Sequence, residues 1–70
     1  MQTAQQIIDE LIPVGAGINE IPRYLGGTSE ERITQLCDQY APNPGILRTE
    51  LAQRLHEEIA NYMDWAVARI

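Results

Sequence analysis

The apolar residues of this 70-residue chain recur at three- and four-residue spacing, which is the period of an amphipathic helix. The first apolar stripe consists of Ile7, Ile8, Leu11 and Ile12. Thr3 followed by Gln6 has the spacing of a capping box, in which two side chains satisfy unpaired amides at a helix start. Pro13 lacks an amide hydrogen and disfavours helical geometry at the residue before it. The pattern therefore predicts a short first helix that ends at Ile12.

Two further short helices are predicted in the middle of the chain. Ile18, Ile21 and Leu25 indicate one or two helical turns, and Gly26 and Gly27 can adopt the left-handed conformation that ends helices. Thr28 with Glu31 repeats the capping-box spacing at the start of the next helix. The apolar stripe of that helix is Ile33, Leu36, Cys37 and Tyr40, and we expect it to be buried.

The fourth predicted helix is the longest. A proline- and glycine-containing segment at residues 41–45 separates it from the third helix, and Asn43 is the expected N-cap with Pro44 at the first helical position. No proline or glycine follows before Ile70, so the helix is predicted to run for about 25 residues and nearly 40 Å. The fold class is therefore all-α, with three short helices packed on one long C-terminal helix in a single domain, residues 1–70.

The apolar face of the long helix is wider than one neighbouring layer requires. At 100° per residue its apolar side chains cover an arc of about 200°. They are Leu47, Leu51, Ala52, Leu55, Ile59, Tyr62, Met63, Trp65, Ala66, Val67 and Ile70. Three short helices should cover about half of this rod, so we expect the rest to contact another protein or a second copy of the chain. The alternative is that the short helices wrap the rod completely and nothing associates.

Composition narrows the classes of partner. The chain has five basic residues, all arginine, against ten acidic ones, for a net charge of −5. Binding to nucleic acid or to an anionic membrane normally requires a basic surface, so neither is expected. The single cysteine cannot form an internal disulfide, and no signal-peptide pattern or apolar run of membrane-spanning length is present. A reducing, cytoplasmic location is the expectation.

Catalytic and cofactor chemistry has little support in the residues. His56 has Ala60, not a second histidine, four residues later, so no metal site is predicted. Cys37 lies on a stripe expected to be buried, which favours an inert thiol over a nucleophile. The enzymatic hypothesis is a dyad of Cys37 and His56 brought together across two helices. The glycines match no phosphate-binding pattern, so no cofactor is expected.

Five residues of the long helix are the predicted partner-binding residues: Glu50, Glu57, Tyr62, Asp64 and Trp65. The three acidic ones recur every seven residues and form an acidic stripe that an Arg- or Lys-lined partner could bind, although an ordinary solvated face has the same pattern. Tyr62 and Trp65 are amphipathic side chains suited to an interface, and core packing explains them equally well.

The sequence therefore favours a non-enzymatic, acidic protein–protein interaction module, a self-associating cytoplasmic regulator or inhibitor that binds its partner through the long helix. The alternative function is a dimeric transcriptional regulator that reads DNA with a helix-turn-helix made by the third and fourth helices. In that case Arg48 and Arg54 from two copies would contact the DNA.

Overall fold

The computed structural model describes residues 2–69, and these form four α-helices without a strand. The helices are α1 (Ala4–Leu11), α2 (Ile21–Leu25), α3 (Glu30–Tyr40) and α4 (Ile46–Val67), and a 3-10 turn (Ile18–Glu20) leads directly into α2. The long helix α4 packs against all three shorter helices, which confirms the predicted all-α architecture.

Helix α1 has the predicted cap at its start and ends at Leu11, one residue before the predicted end at Ile12. The Thr3 hydroxyl accepts a hydrogen bond from the Gln6 amide at 3.1 Å, and the Gln6 side-chain oxygen accepts one from the Thr3 amide at 2.8 Å. Both halves of the capping box are therefore present. At the other end Ile12 is extended, as expected for a residue that precedes proline.

Helix α3 is capped by Ser29, so the prediction that Thr28 is the N-cap was wrong. The Ser29 hydroxyl accepts a hydrogen bond from the Arg32 amide at 3.1 Å. Because α3 begins at Glu30, the residue placed to reach the third helical amide is Ser29, and Thr28 lies one position too early. The predicted box with Glu31 is consequently not formed.

Helix α4 begins at Ile46, after Gly45, and not after an Asn43 cap with Pro44 inside the helix as predicted. Gly45 has φ 154° and ψ −167°, a conformation that essentially only glycine adopts. Gly45 is therefore extended and not helical, so the helix cannot continue back through it to Pro44 and Asn43. The resulting helix has 22 residues, about 33 Å, and Ile70, the predicted last residue, lies outside the described part of the chain.

The core consists of apolar side chains from every helix. Its buried members are Ala4, Ile7, Ile8, Ile21, Leu25, Ile33, Leu36, Cys37, Ala41, Leu51, Leu55 and Ile59. Tyr40, predicted to be buried, is only partly buried and packs against this cluster. No polar or charged side chain is buried among residues 2–69, so the bundle is held mainly by apolar contact.

Two side-chain contacts show how α3 lies along α4. Asp38 pairs with Arg48 at 2.8 Å, and Glu30 contacts His56 at 2.7 Å. From Asp38 to Glu30 the chain of α3 goes back eight residues, and from Arg48 to His56 the chain of α4 goes forward eight residues. The two helices are therefore antiparallel, with the same spacing between their contacts. Since Glu30 is the first residue of α3, this helix reaches His56 and no further along α4.

Candidate interaction surface

The apolar stripe of α4 continues beyond the part that its own chain covers. Leu51, Leu55 and Ile59 are buried, whereas none of the residues from 60 to 69 is. Within that segment Tyr62, Trp65 and Ala66 are partly buried, and Met63 and Val67 are 46% and 68% exposed. We call Tyr62, Met63, Trp65, Ala66 and Val67 the terminal patch. On an ideal helix they span an arc of about 200°.

The register of α3 explains why the stripe is uncovered at this end. Residues 57–67 of α4 extend about 16 Å beyond the level at which α3 begins. Contacts from α1, the 3-10 turn and α2 cover the remaining core side of α4, which leaves Ile59 8% exposed and Tyr62 packed at the edge of the core. The excess of apolar surface expected for the whole rod is therefore concentrated in its last three turns.

The aromatic side chains of the terminal patch contact one another and a cation. The ring centroids of Tyr62 and Trp65 are 6.1 Å apart, with the rings tilted by 33°. The guanidinium of Arg69 lies over the Trp65 ring, 4.4 Å from its centroid, in cation–π geometry. These contacts restrict both rings, so covering them with another surface would cost less side-chain entropy than covering free side chains.

The five predicted partner-binding residues fall on two surfaces. Glu50, Glu57 and Asp64 are all exposed. On an ideal helix the acidic stripe lies about 120–160° away from Tyr62 but only about 60–100° from Trp65. One flat partner surface therefore cannot contact Tyr62 and the whole stripe together. A partner centred on Trp65 could reach both the terminal patch and the edge of the stripe.

Part of the acidic stripe lines a shallow groove with the start of α1. The groove has a volume of about 280 Å³, and its walls are Thr3, Ala4, Gln5, Glu50, Gln53, Arg54 and Glu57. Arg54 is held there by Glu57 at 2.9 Å, by Glu58 at 3.4 Å and by the Gln5 side chain at 3.1 Å. The groove is thus already crossed by an ion-pair network that links α1 to α4.

The arginines invoked for DNA binding both have carboxylate partners within the bundle. Arg48 pairs with Asp38 and also donates to the Ala41 carbonyl at 3.3 Å, which fixes the corner between α3 and α4. Arg54 belongs to the network in the groove. A phosphate would have to compete with these carboxylates for either guanidinium.

Cys37 and His56 are not brought together. Cys37 is buried, and burial raises the pKa of its thiol. The two ring nitrogens of His56 lie 2.7 Å from the Ala52 carbonyl and 2.7 Å from the Glu30 carboxylate, so neither faces Cys37. Residues 2–69 also contain no group of three or more His, Cys, Asp or Glu side chains placed to hold a metal ion.

A second apolar surface, which the sequence analysis missed, lies at the corner between α3 and α4. Ile46 is 77% exposed there, beside a cleft of about 360 Å³. The cleft is lined by Tyr40, Ala41, Pro42, Asn43, Pro44, Gly45, Ile46 and Leu47. The sequence did contain a signal for this surface, because an isoleucine follows directly after a proline- and glycine-rich break. As the first residue of α4, Ile46 has no preceding helical turn to cover it.

Comparison with known proteins adds no relative. No protein-family model matches the chain, and no match was found among curated proteins or among solved structures. Within residues 2–69 no helix combines the length and the apolar composition needed to span a lipid bilayer.

Proposed function

We propose that this protein is a non-enzymatic protein–protein interaction module, a small regulator or inhibitor that docks through the terminal patch. One observation carries the proposal: the apolar stripe that forms the core at Leu51, Leu55 and Ile59 continues into the last turns of α4 without cover. A contiguous apolar surface of this kind on a small folded chain is typical of a contact site for another macromolecule.

The residue types of the terminal patch support the same proposal. Tryptophan, tyrosine, methionine and arginine are enriched in protein interfaces, and the aromatic ones often contribute most of the binding energy. Fully burying one large apolar side chain is worth about 1.5–3 kcal/mol relative to leaving it in water. Trp65, which contacts both Tyr62 and Arg69, is placed to be the main anchor.

The acidic surface supports a role in blocking or regulating a basic target. The chain carries a net charge of −5, and Glu50 and Asp64 are exposed on the stripe, with Asp64 directly before Trp65. Charge of one sign raises the rate of encounter with a partner of the opposite sign and selects against wrong partners. We place this activity in the cytoplasm, where a chain with one unpaired cysteine remains reduced.

The test compares three immobilised forms of the protein in an extract of its native host. The wild-type chain should retain a specific protein, and the double variant Tyr62→Ala/Trp65→Ala should retain it at least about tenfold less. Gln53→Ala is the matched control, because Gln53 is exposed on α4 away from the terminal patch. Equal retention by all three forms would reject the terminal patch as the docking surface.

A further inference from the structure

Four residues of α4 and its C-terminal turn lie on one line of the helix surface at spacings of four, three and four residues. They are Glu58, Tyr62, Trp65 and Arg69, and we call this line the seam. The same alternation continues backwards to the buried residues Leu55 and Leu51. Alternating three- and four-residue spacing is the pattern by which one helix packs along another. The seam therefore extends a packing line past the end of the bundle.

The two ends of the seam carry opposite charges. Glu58 and Arg69 are eleven residues apart, which on a helix is three turns and about 16 Å. The Glu58 side chain is 22% exposed and lies 3.4 Å from Arg54, and the Arg69 guanidinium lies over the Trp65 ring. Between the charged ends are the two aromatic residues, Tyr62 and Trp65.

The seam is complementary to itself when it is reversed. A spacing of four, three and four residues reads the same in both directions. Reversal also places an acidic residue opposite a basic one at each end, and an aromatic residue opposite an aromatic one at each inner position. A parallel arrangement in register would instead oppose Glu58 to Glu58 and Arg69 to Arg69. Self-complementarity on reversal is the condition for a two-fold symmetric interface.

We propose that the terminal patch binds a second copy of this chain, with the two α4 helices antiparallel and their seams in contact. In this arrangement Glu58 of each copy faces Arg69 of the other, and Tyr62 faces Trp65. The inference rests on the proposed function, because it names the occupant of the same surface. The cleft beside Ile46 lacks comparable charges at its ends and does not support the same argument.

The contact between the two seams is small. Two helices that meet over about three turns bury less than the roughly 1,200 Å² of a standard stable interface. The dimer is therefore expected to be weak and reversible, with a dissociation constant in the micromolar range. The aromatic pairs provide most of the affinity, and the Glu58–Arg69 pairs at the ends select the antiparallel register.

Trp65 makes the first test direct, because it is the only tryptophan of the chain. Sedimentation velocity over a concentration series should show the mass doubling from 7.9 kDa. Over the same concentrations the fluorescence of Trp65 should shift to shorter wavelength and become less accessible to acrylamide. A mass that stays single up to millimolar concentration would overturn the proposal. A doubling that leaves the fluorescence of Trp65 unchanged would overturn it as well.

Charge reversal tests the register. Glu58→Arg and Arg69→Glu should each weaken dimerisation about five- to tenfold, since each change places two like-charge contacts in the symmetric interface. Combining the two changes should restore the wild-type dissociation constant to within about threefold.

Glu57→Arg is the matched control for Glu58→Arg. It makes the same change in net charge and also removes a carboxylate from Arg54, but Glu57 lies on the exposed side of α4 about 100° from Glu58. Equal weakening by Glu57→Arg and Glu58→Arg, or no recovery in the double reversal, would overturn the antiparallel register. If the chain stays monomeric and yet retains a different protein through Tyr62 and Trp65, the dimer proposal fails and the proposed function stands.

Discussion

The imidazole of His56 contacts the Glu30 carboxylate at 2.7 Å and so joins the middle of α4 to the first residue of α3. Its other ring nitrogen lies 2.7 Å from the Ala52 carbonyl, one turn earlier on α4. Both neighbours are acceptors, and only the protonated ring can donate to both at once. These contacts raise the pKa of His56, with the hydrogen bond to Glu30 as the largest cause.

The raised pKa of His56 predicts a pH-dependent stability. A histidine whose pKa is higher in the folded state stabilises the fold fully below its unfolded pKa of about 6.5, and this contribution is lost as the pH rises through the folded value. The free energy of unfolding, measured by urea denaturation, should therefore fall between pH 5.5 and pH 8.5. The decrease should stay below about 1 kcal/mol, because the His56 side chain is half exposed to solvent.

Two variants identify the source of that pH dependence. His56→Gln removes the titrating group, and Glu30→Gln removes the carboxylate that raises its pKa. Both should flatten the stability profile relative to the wild type. A profile for His56→Gln that remains as steep as that of the wild type would show that another group titrates.

The turn after α2 requires a glycine at position 26, and replacing it should lower the free energy of unfolding by a measurable amount. Gly26 has φ 78°, and a Cβ there would lie 3.0 Å from the Nε of Arg32. That nitrogen donates to the Leu25 carbonyl at 2.6 Å, so the side chain cannot move away without losing the bond that closes α2. Gly26→Ala should destabilise the protein by about 1–3 kcal/mol in urea denaturation.

Gly15 is the matched control for this prediction. Its φ of 89° is also positive, but no atom within 4 Å would meet an added Cβ. Gly15→Ala should therefore lower the free energy of unfolding only by the cost of backbone strain, about 1–2 kcal/mol. The difference between the two alanine variants measures the clash with Arg32. Equal destabilisation would mean that Arg32 adjusts at no cost.

The sequence predicts the helices well where the signals are local, as at Thr3 and Gln6, whose reciprocal hydrogen bonds span three residues. It misplaces the starts of α3 and α4 because Thr28 and Asn43 have the right chemistry for caps, and only the backbone decides that Ser29 and Gly45 occupy those positions. Cap chemistry alone therefore locates a helix start to within a few residues.

The candidate site could be predicted only in part for a different reason. The width of the apolar arc on α4 is visible in the sequence, but the end at which it is uncovered depends on the register of α3. That register brings together residues such as Glu30 and His56, which are 26 residues apart in the chain. No periodic pattern specifies such a pair. That the continuous apolar stripe is uncovered in the last turns of α4 therefore had to come from the fold.

A pair of truncations on α4 tests where the core ends. Leu55 is fully buried, and Leu55→Ala should cost about 2–5 kcal/mol because it removes apolar contacts and leaves a cavity. Met63, two turns further on, is 46% exposed, and Met63→Ala should change the free energy of unfolding by less than about 0.5 kcal/mol at concentrations where the chain is monomeric. Thermal or urea denaturation at low micromolar concentration measures both. A cost for Met63→Ala near that of Leu55→Ala would place Met63 in the core.

The reactivity of Cys37 separates an inert thiol from a nucleophile. Cys37 is 2% exposed, and burial raises the pKa of its thiol, although Arg48 acts in the opposite direction. A thiol must be both ionised and accessible to react, so folding should slow the alkylation of Cys37 by iodoacetamide at pH 7.5 at least about 100-fold relative to the chain in urea. The variant Arg48→Gln should not speed the reaction, because it removes the one cation that favours the thiolate. Alkylation of the folded chain as fast as that of the unfolded one would show an accessible thiol, and faster alkylation would show an activated one and would favour the enzymatic hypothesis built on Cys37.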